Sequence, residues 1–117
     1  MRRLKVETTR ITAFGATGVA GIALSRVGPV AGAAVDVLKF EPGAVLGRHP
    51  TRLCQLFSVV SGSGWASGAD GVRAPLLRDD TVLWESDEEH ESGTDDGMVA
   101  VVVQTPIPPL SQIGWVP

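Results

Sequence analysis

Short apolar runs broken by glycine, proline and acidic turns follow one another along this chain, and no long segment carries apolar residues at helical spacing. The first ten residues mix charge with Leu4 and Val6 and predict a short edge strand. Arg10–Phe14 and Val19–Val27 read as two short strands joined by a glycine turn, and Gly28-Pro29 as the next turn. Ala33–Glu41 is a strand that Pro42-Gly43 closes in the manner of a type II turn. Leu46–His49 and Leu53–Val60 are strands on either side of Pro50, and Trp65–Ser67, Val72–Leu76, Thr81–Trp84 and His90–Gly93 follow between tight turns.

Met98–Gln104 is apolar without alternation, which predicts a central strand covered on both faces, by the fold itself or by a second subunit. The tail holds four prolines and cannot lie inside a sheet, so Ile107, Leu110, Ile113 and Trp115 are expected to pack across one. These elements predict an all-β chain, a sandwich or barrel of jelly-roll topology. Residues 1–117 form one domain in this reading, with a core at 33–104, N-terminal strands at 4–27 and a packing tail at 105–117.

Two segments imitate other functions. Arg2 and Arg3 precede an uncharged run with Ala31 and Ala33 downstream, which resembles a secretory signal. Glu7, Arg10, Arg26 and Gly28-Pro29 interrupt that order, so no cleavage is expected. Gly15, Gly18 and Gly21 resemble a nucleotide-binding turn, but that chemistry needs a helix to follow, and Gly28-Pro29 arrives too soon. The glycines are read as letting a strand bend.

Composition changes this picture little. Apolar residues make up 44% and charged residues 20%, ordinary for a globular domain. The net charge of −3 argues against a nucleic-acid footprint, and no membrane partner is expected. Every Lys and Arg lies at or before Arg78, while acids crowd the segment from Asp79 to Asp96, read as a solvated loop. Cys54 is the only cysteine, which rules out an internal disulfide and fits a cytoplasmic location.

The stretch from Gly43 to Gly62 carries the chemistry. With a period of two, Thr51, Leu53, Gln55, Phe57 and Val59 share one strand face, joined by His49 if the strand reaches it. Polar groups in line with Phe57 and Val59 describe a pocket wall. By the same parity Cys54 points away and is read as a buried packing residue.

Here the chain resembles the small single-domain cupins, conserved β-barrels of the RmlC-like jelly-roll type (a double-stranded β-helix). Gly43, His49, Gln55 and Gly62 fall at the spacing of the first cupin motif. Thr51 stands where its second histidine belongs, and Gln55 where its glutamate belongs. The second motif falls on Asp79, Glu85, Asp87, His90 and Thr94, of which only His90 is retained. The resemblance covers roughly residues 33–104 and implies the fold. It also implies that His49, Thr51, Gln55 and His90 occupy the positions that hold a divalent metal (Mn, Fe, Ni or Zn) in cupins generally. Two imidazoles survive and the anionic ligand does not, so any metal set reduces to His49, Gln55 and His90.

The expectation is therefore a small-molecule-binding cup lined by His49, Thr51, Gln55, Phe57, Trp84 and His90, with no certain cofactor and unknown catalytic residues. Phe57 and Trp84 read as core or as pocket wall. Glu89, beside His90, is the acid to watch. The alternatives are a metal-dependent oxygenase or isomerase using His49, Gln55 and His90, and a structural or regulatory partner protein whose cup is vestigial. The apolar last strand and tail point to a homodimer.

Overall fold

The computed structural model describes residues 1–26 and 33–106. The Gly28-Pro29 turn and the tail residues Ile107, Leu110, Ile113 and Trp115 lie outside them. Nine strands form among the described residues: β1 (Thr9–Arg10), β2 (Thr17–Arg26), β3 (Ala34–Pro50), β4 (Cys54–Gly62), β5 (Gly64–Ser67), β6 (Ala74–Leu76), β7 (Thr81–Trp84), β8 (Glu89–Gly93) and β9 (Met98–Thr105). They pair antiparallel in the order β6-β5-β8-β3-β9-β4-β7, with β2 on β3 and β1 on β2, and curl into a nearly closed barrel. No helix among the described residues is long and apolar enough to cross a membrane.

Alternation explains the interior. Leu38 and Phe40 on β3, Phe57 and Val59 on β4, and Met98, Ala100 and Val102 on β9 are buried, while their neighbours in sequence are less so. Phe57 sits at the middle of this core, its ring edge-on to Phe40 at 6.1 Å and to Trp84 at 5.5 Å.

The strands depart from the sequence expectation in four places. First, Pro42-Gly43 does not end a strand: β3 runs through it. Gly43 adopts φ of 79° and its N–H donates to the Asp95 carbonyl at 3.1 Å, so the chain bends rather than reverses. Ala34–Phe40 then pair with β9, and Val45–Pro50 with β8. Second, the strand expected over Arg10–Phe14 is only Thr9–Arg10. Beyond it Phe14 takes φ of 58°, and the chain turns over the barrel mouth before β2 begins. Third, β6 starts at Ala74 rather than Val72, because Asp70 and Gly71 extend the preceding turn through a hydrogen bond from the Val72 N–H to Asp70. Fourth, β9 is central, between β3 and β4, yet it alternates: Val99, Val101 and Val103 on its outer face are only half-buried.

The glycines at 15, 18 and 21 do let a strand turn and bend. Gly18 (φ 69°) lies inside β2, where a Cβ would crowd Ala44.

Candidate functional site

The register of β3 on β8 places His49 directly opposite His90. Their ring centroids are 4.3 Å apart. Gln55, on β4, is opposite Trp84 on β7, and the Trp84 ring lies 4.2 Å from that of His90. The chain thus brings residues from two distant segments together, His49 and His90 being 41 positions apart. His90 is sandwiched between Trp84 and His49 and is 1% exposed. Phe14 covers the outer face of His49, its ring stacked at 4.0 Å with the planes 8° apart.

The two histidines are held alike. His49 Nδ1 lies 2.7 Å from the Gly47 carbonyl and His90 Nδ1 lies 3.2 Å from the Glu88 carbonyl. A carbonyl oxygen only accepts, so each Nδ1 carries a proton, and a neutral His90 ring then presents a bare Nε2 lone pair. In His90 that Nε2 is buried with no hydrogen-bond partner. Burial drives the His90 pKa down to about 4; the bond to Glu88 opposes this, and the neighbouring His49 adds to it. His90 is therefore a neutral acceptor at pH 7.

A cavity of about 390 Å³ opens beside His49. Ile11, Phe14, Leu38, Leu46 and Val102 give it an apolar wall, and Thr9, Asp36, His49, Gln55 and Gln104 supply the polar groups. Of the six residues expected to line a cup, His49 and Gln55 do so. Phe57 and Trp84 lie behind it in the core, and His90 sits one ring deep. Thr51 does not line it. β4 begins only at Cys54, so the strand alternation stops short of Thr51. Its hydroxyl donates to the Leu53 carbonyl at 2.6 Å, and its backbone bonds to Glu88 and Asp87 tie down the acidic loop.

Glu89 is exposed and ion-paired with Arg48 at 3.1 Å. Cys54 is buried, with its sulfur 3.7 Å from the Ser86 hydroxyl.

Asp36, Gln104 and Phe14 were not singled out in the sequence. A signal for the first two existed: Asp36 shares strand parity with Leu38 and Phe40, and Gln104 with Ala100 and Val102. An acid or amide in line with buried apolar residues marks a polar point on an inner wall.

Comparison with solved structures decides the fold of this architecture. It matches an RmlC-like cupin from Shewanella frigidimarina with a TM-score of 0.74 and 19% identity, over 90% of this chain and 87% of that one. The fold is that of a cupin. A cupin-like protein from Thermotoga maritima superposes with a TM-score of 0.73 at 23% identity, over 86% of this chain and 80% of its own. The polyketide cyclase RemF of Streptomyces resistomycificus gives 0.75 at 16% identity, over 93% and 82%. No protein-family model matches the chain, and no curated protein matches its sequence. Cupin-fold neighbours thus include an enzyme, and at these identities they speak for the jelly-roll barrel alone.

The fold's customary metal can be tested on the donor set. Among the described residues no three His, Cys, Asp or Glu side chains cluster to hold an ion. His49 and His90 offer at most one free ring nitrogen each, Gln55 is a neutral amide, and the Thr51 hydroxyl is committed to Leu53. These residues do not fit a tightly held divalent cation, which needs a third strong ligand.

Proposed function

We propose that this cupin-fold protein binds a compact organic molecule in its cup without a tightly held metal. His49 and Gln55 contact the ligand, and the neutral His90 stands directly behind. The observation that carries this reading is the open cavity of about 390 Å³, within the size range of small-molecule sites, with a few polar groups on an apolar wall. An open cup also favours a ligand over a vestigial role as a partner protein.

Metal analysis of protein purified without a histidine tag tests the metal-free part. The expected content is well below one divalent ion per chain, and a stoichiometric ion would favour a metal-dependent oxygenase or isomerase instead. Gln55→Glu supplies the missing carboxylate beside His49 and should raise zinc or manganese affinity roughly tenfold or more, since a carboxylate replaces a neutral amide. Unchanged affinity in that variant would mean that Gln55 and the two histidines do not converge on one site.

We also propose a homodimer, in which a second copy covers the outer face of the sheet. Val35, Val103, Leu56 and Leu83 form one register row across β3, β9, β4 and β7, all half-buried. Sedimentation should give a dimer that Leu56→Asp converts to monomer; a wild-type monomer at all concentrations refutes it. The lone buried thiol fits a cytoplasmic protein, which cell fractionation would check.

A further inference from the structure

Two side chains in the cup carry polar groups that the protein itself does not use. Gln55 on β4 and Gln104 on β9 are directly opposite in the strand register, and both line the cavity. Neither side-chain amide makes a hydrogen bond among the described residues, to the other or to any third group. Asp36 lines the cup too but has a partner of its own. Gln55 is only 8% exposed, and strand parity sets both amides in line with buried Phe57 and Val102. Alternation alone would place an apolar residue at each position. A buried amide left unpaired costs folding stability that a Leu there would not.

What two such heads recognise follows from their chemistry. A primary amide holds a donor N–H and an acceptor C=O side by side in one plane, with no charge. The group that satisfies both at once presents an acceptor and a donor on one edge, as adenine does to a Gln side chain. A secondary amide in an open chain is almost always trans and turns its N–H and C=O to opposite sides. Closing the amide into a small ring forces both onto the same side. A ring imide adds a second carbonyl beyond the N–H, so one Gln head can pair with the amide edge while the other donates to that carbonyl. Directly opposed side chains on neighbouring strands start about 5 Å apart, which brings both heads to one ligand edge.

We infer that the cup takes a ring compound with a cis-amide edge, a lactam or cyclic imide, held by Gln55 and Gln104 with its carbon ring against Leu38, Leu46 and Val102. The inference rests on the cup being a ligand site. A compound whose edge only accepts leaves a Gln carbonyl facing a lone pair, and an acceptor buried without a donor weakens binding roughly ten- to a hundredfold.

The test is a titration of the methyl-labelled full chain with glutarimide, δ-valerolactam and δ-valerolactone, followed at the methyl groups of Leu38, Leu46 and Val102. The lactam and lactone have the same shape and differ by an N–H in place of an oxygen. Affinity should fall in the order glutarimide, lactam, lactone, with the lactone at least about tenfold below the lactam. Gln55→Leu and Gln104→Leu should each lower glutarimide affinity several-fold. Each should also hold or raise the melting temperature, since the free protein loses no hydrogen bond. Lactone binding as tightly as lactam would overturn the donor–acceptor argument, and lactam binding as tightly as glutarimide would overturn the two-headed one. Wild-type glutarimide affinity in both variants, or a lowered melting temperature in both, would overturn the amide pair as a ligand device. Each of these results leaves the cup a ligand site. If no compound moves these methyls at millimolar concentration, both the inference and the ligand-cup reading fail.

Discussion

Phe57→Ala should be among the most damaging single substitutions in this chain, costing roughly 3–5 kcal/mol of folding stability. Phe57 is 1% exposed on central strand β4, and its ring meets both Phe40 and Trp84. Truncation removes the transfer free energy of the ring and leaves a void in a nearly closed barrel whose paired strands cannot easily collapse. Against a typical total of about 5–15 kcal/mol, the loss is a large fraction. Trp84 would lose its support, and His90 rests on Trp84, so the damage should reach the site. Denaturant unfolding measures it, with Phe57→Leu as the milder comparison. A loss below about 1 kcal/mol would mean that Phe57 is not the centre of the core.

Acid should destabilise the protein through His90 before most carboxylates are protonated. The folded-state pKa of about 4 lies below the ordinary 6.5, because burial disfavours the imidazolium. The unfolded chain therefore takes up this proton more readily. Stability from this group is complete above about pH 6.5 and falls as pH drops towards 4, by a total of about 3 kcal/mol. His90→Phe keeps a ring between Trp84 and His49 but has nothing to titrate. Unfolding free energies measured between pH 6.5 and 5 should fall steeply for wild type and far less for the variant. Parallel pH profiles would show that His90 is not held neutral by burial.

The fold was readable in this sequence because its turns are chemically explicit. Asp79-Asp80 and the acids after Trp84 bracket β7 so tightly that Thr81–Trp84 is legible to the residue. The spacing of His49, Gln55 and His90 carried the barrel. Pro42-Gly43 misled because a turn signal reports only a local bend; whether the chain reverses depends on the partners waiting for it. Here β9 takes the first half of β3 and β8 the second. Asp36 and Gln104 were hidden for a related reason: they are far apart in sequence and become neighbours only through the β3–β9 register. Thr51 was misplaced because strand parity was extended across a turn that keeps its hydroxyl for Leu53. Phe14 left no trace at all, since a bulky residue at positive φ runs against local preference and is held by its stacking on His49.

The account stands on a buried, neutral His90 ring whose Nε2 has no hydrogen-bond partner. Ring-nitrogen chemical shifts of His90, recorded from pH 7 down to 4, measure this directly. They should show protonated Nδ1 and unprotonated Nε2 at pH 7, unchanged until close to pH 4. An Nε2-protonated ring, or His90 titrating near 6.5, would contradict it.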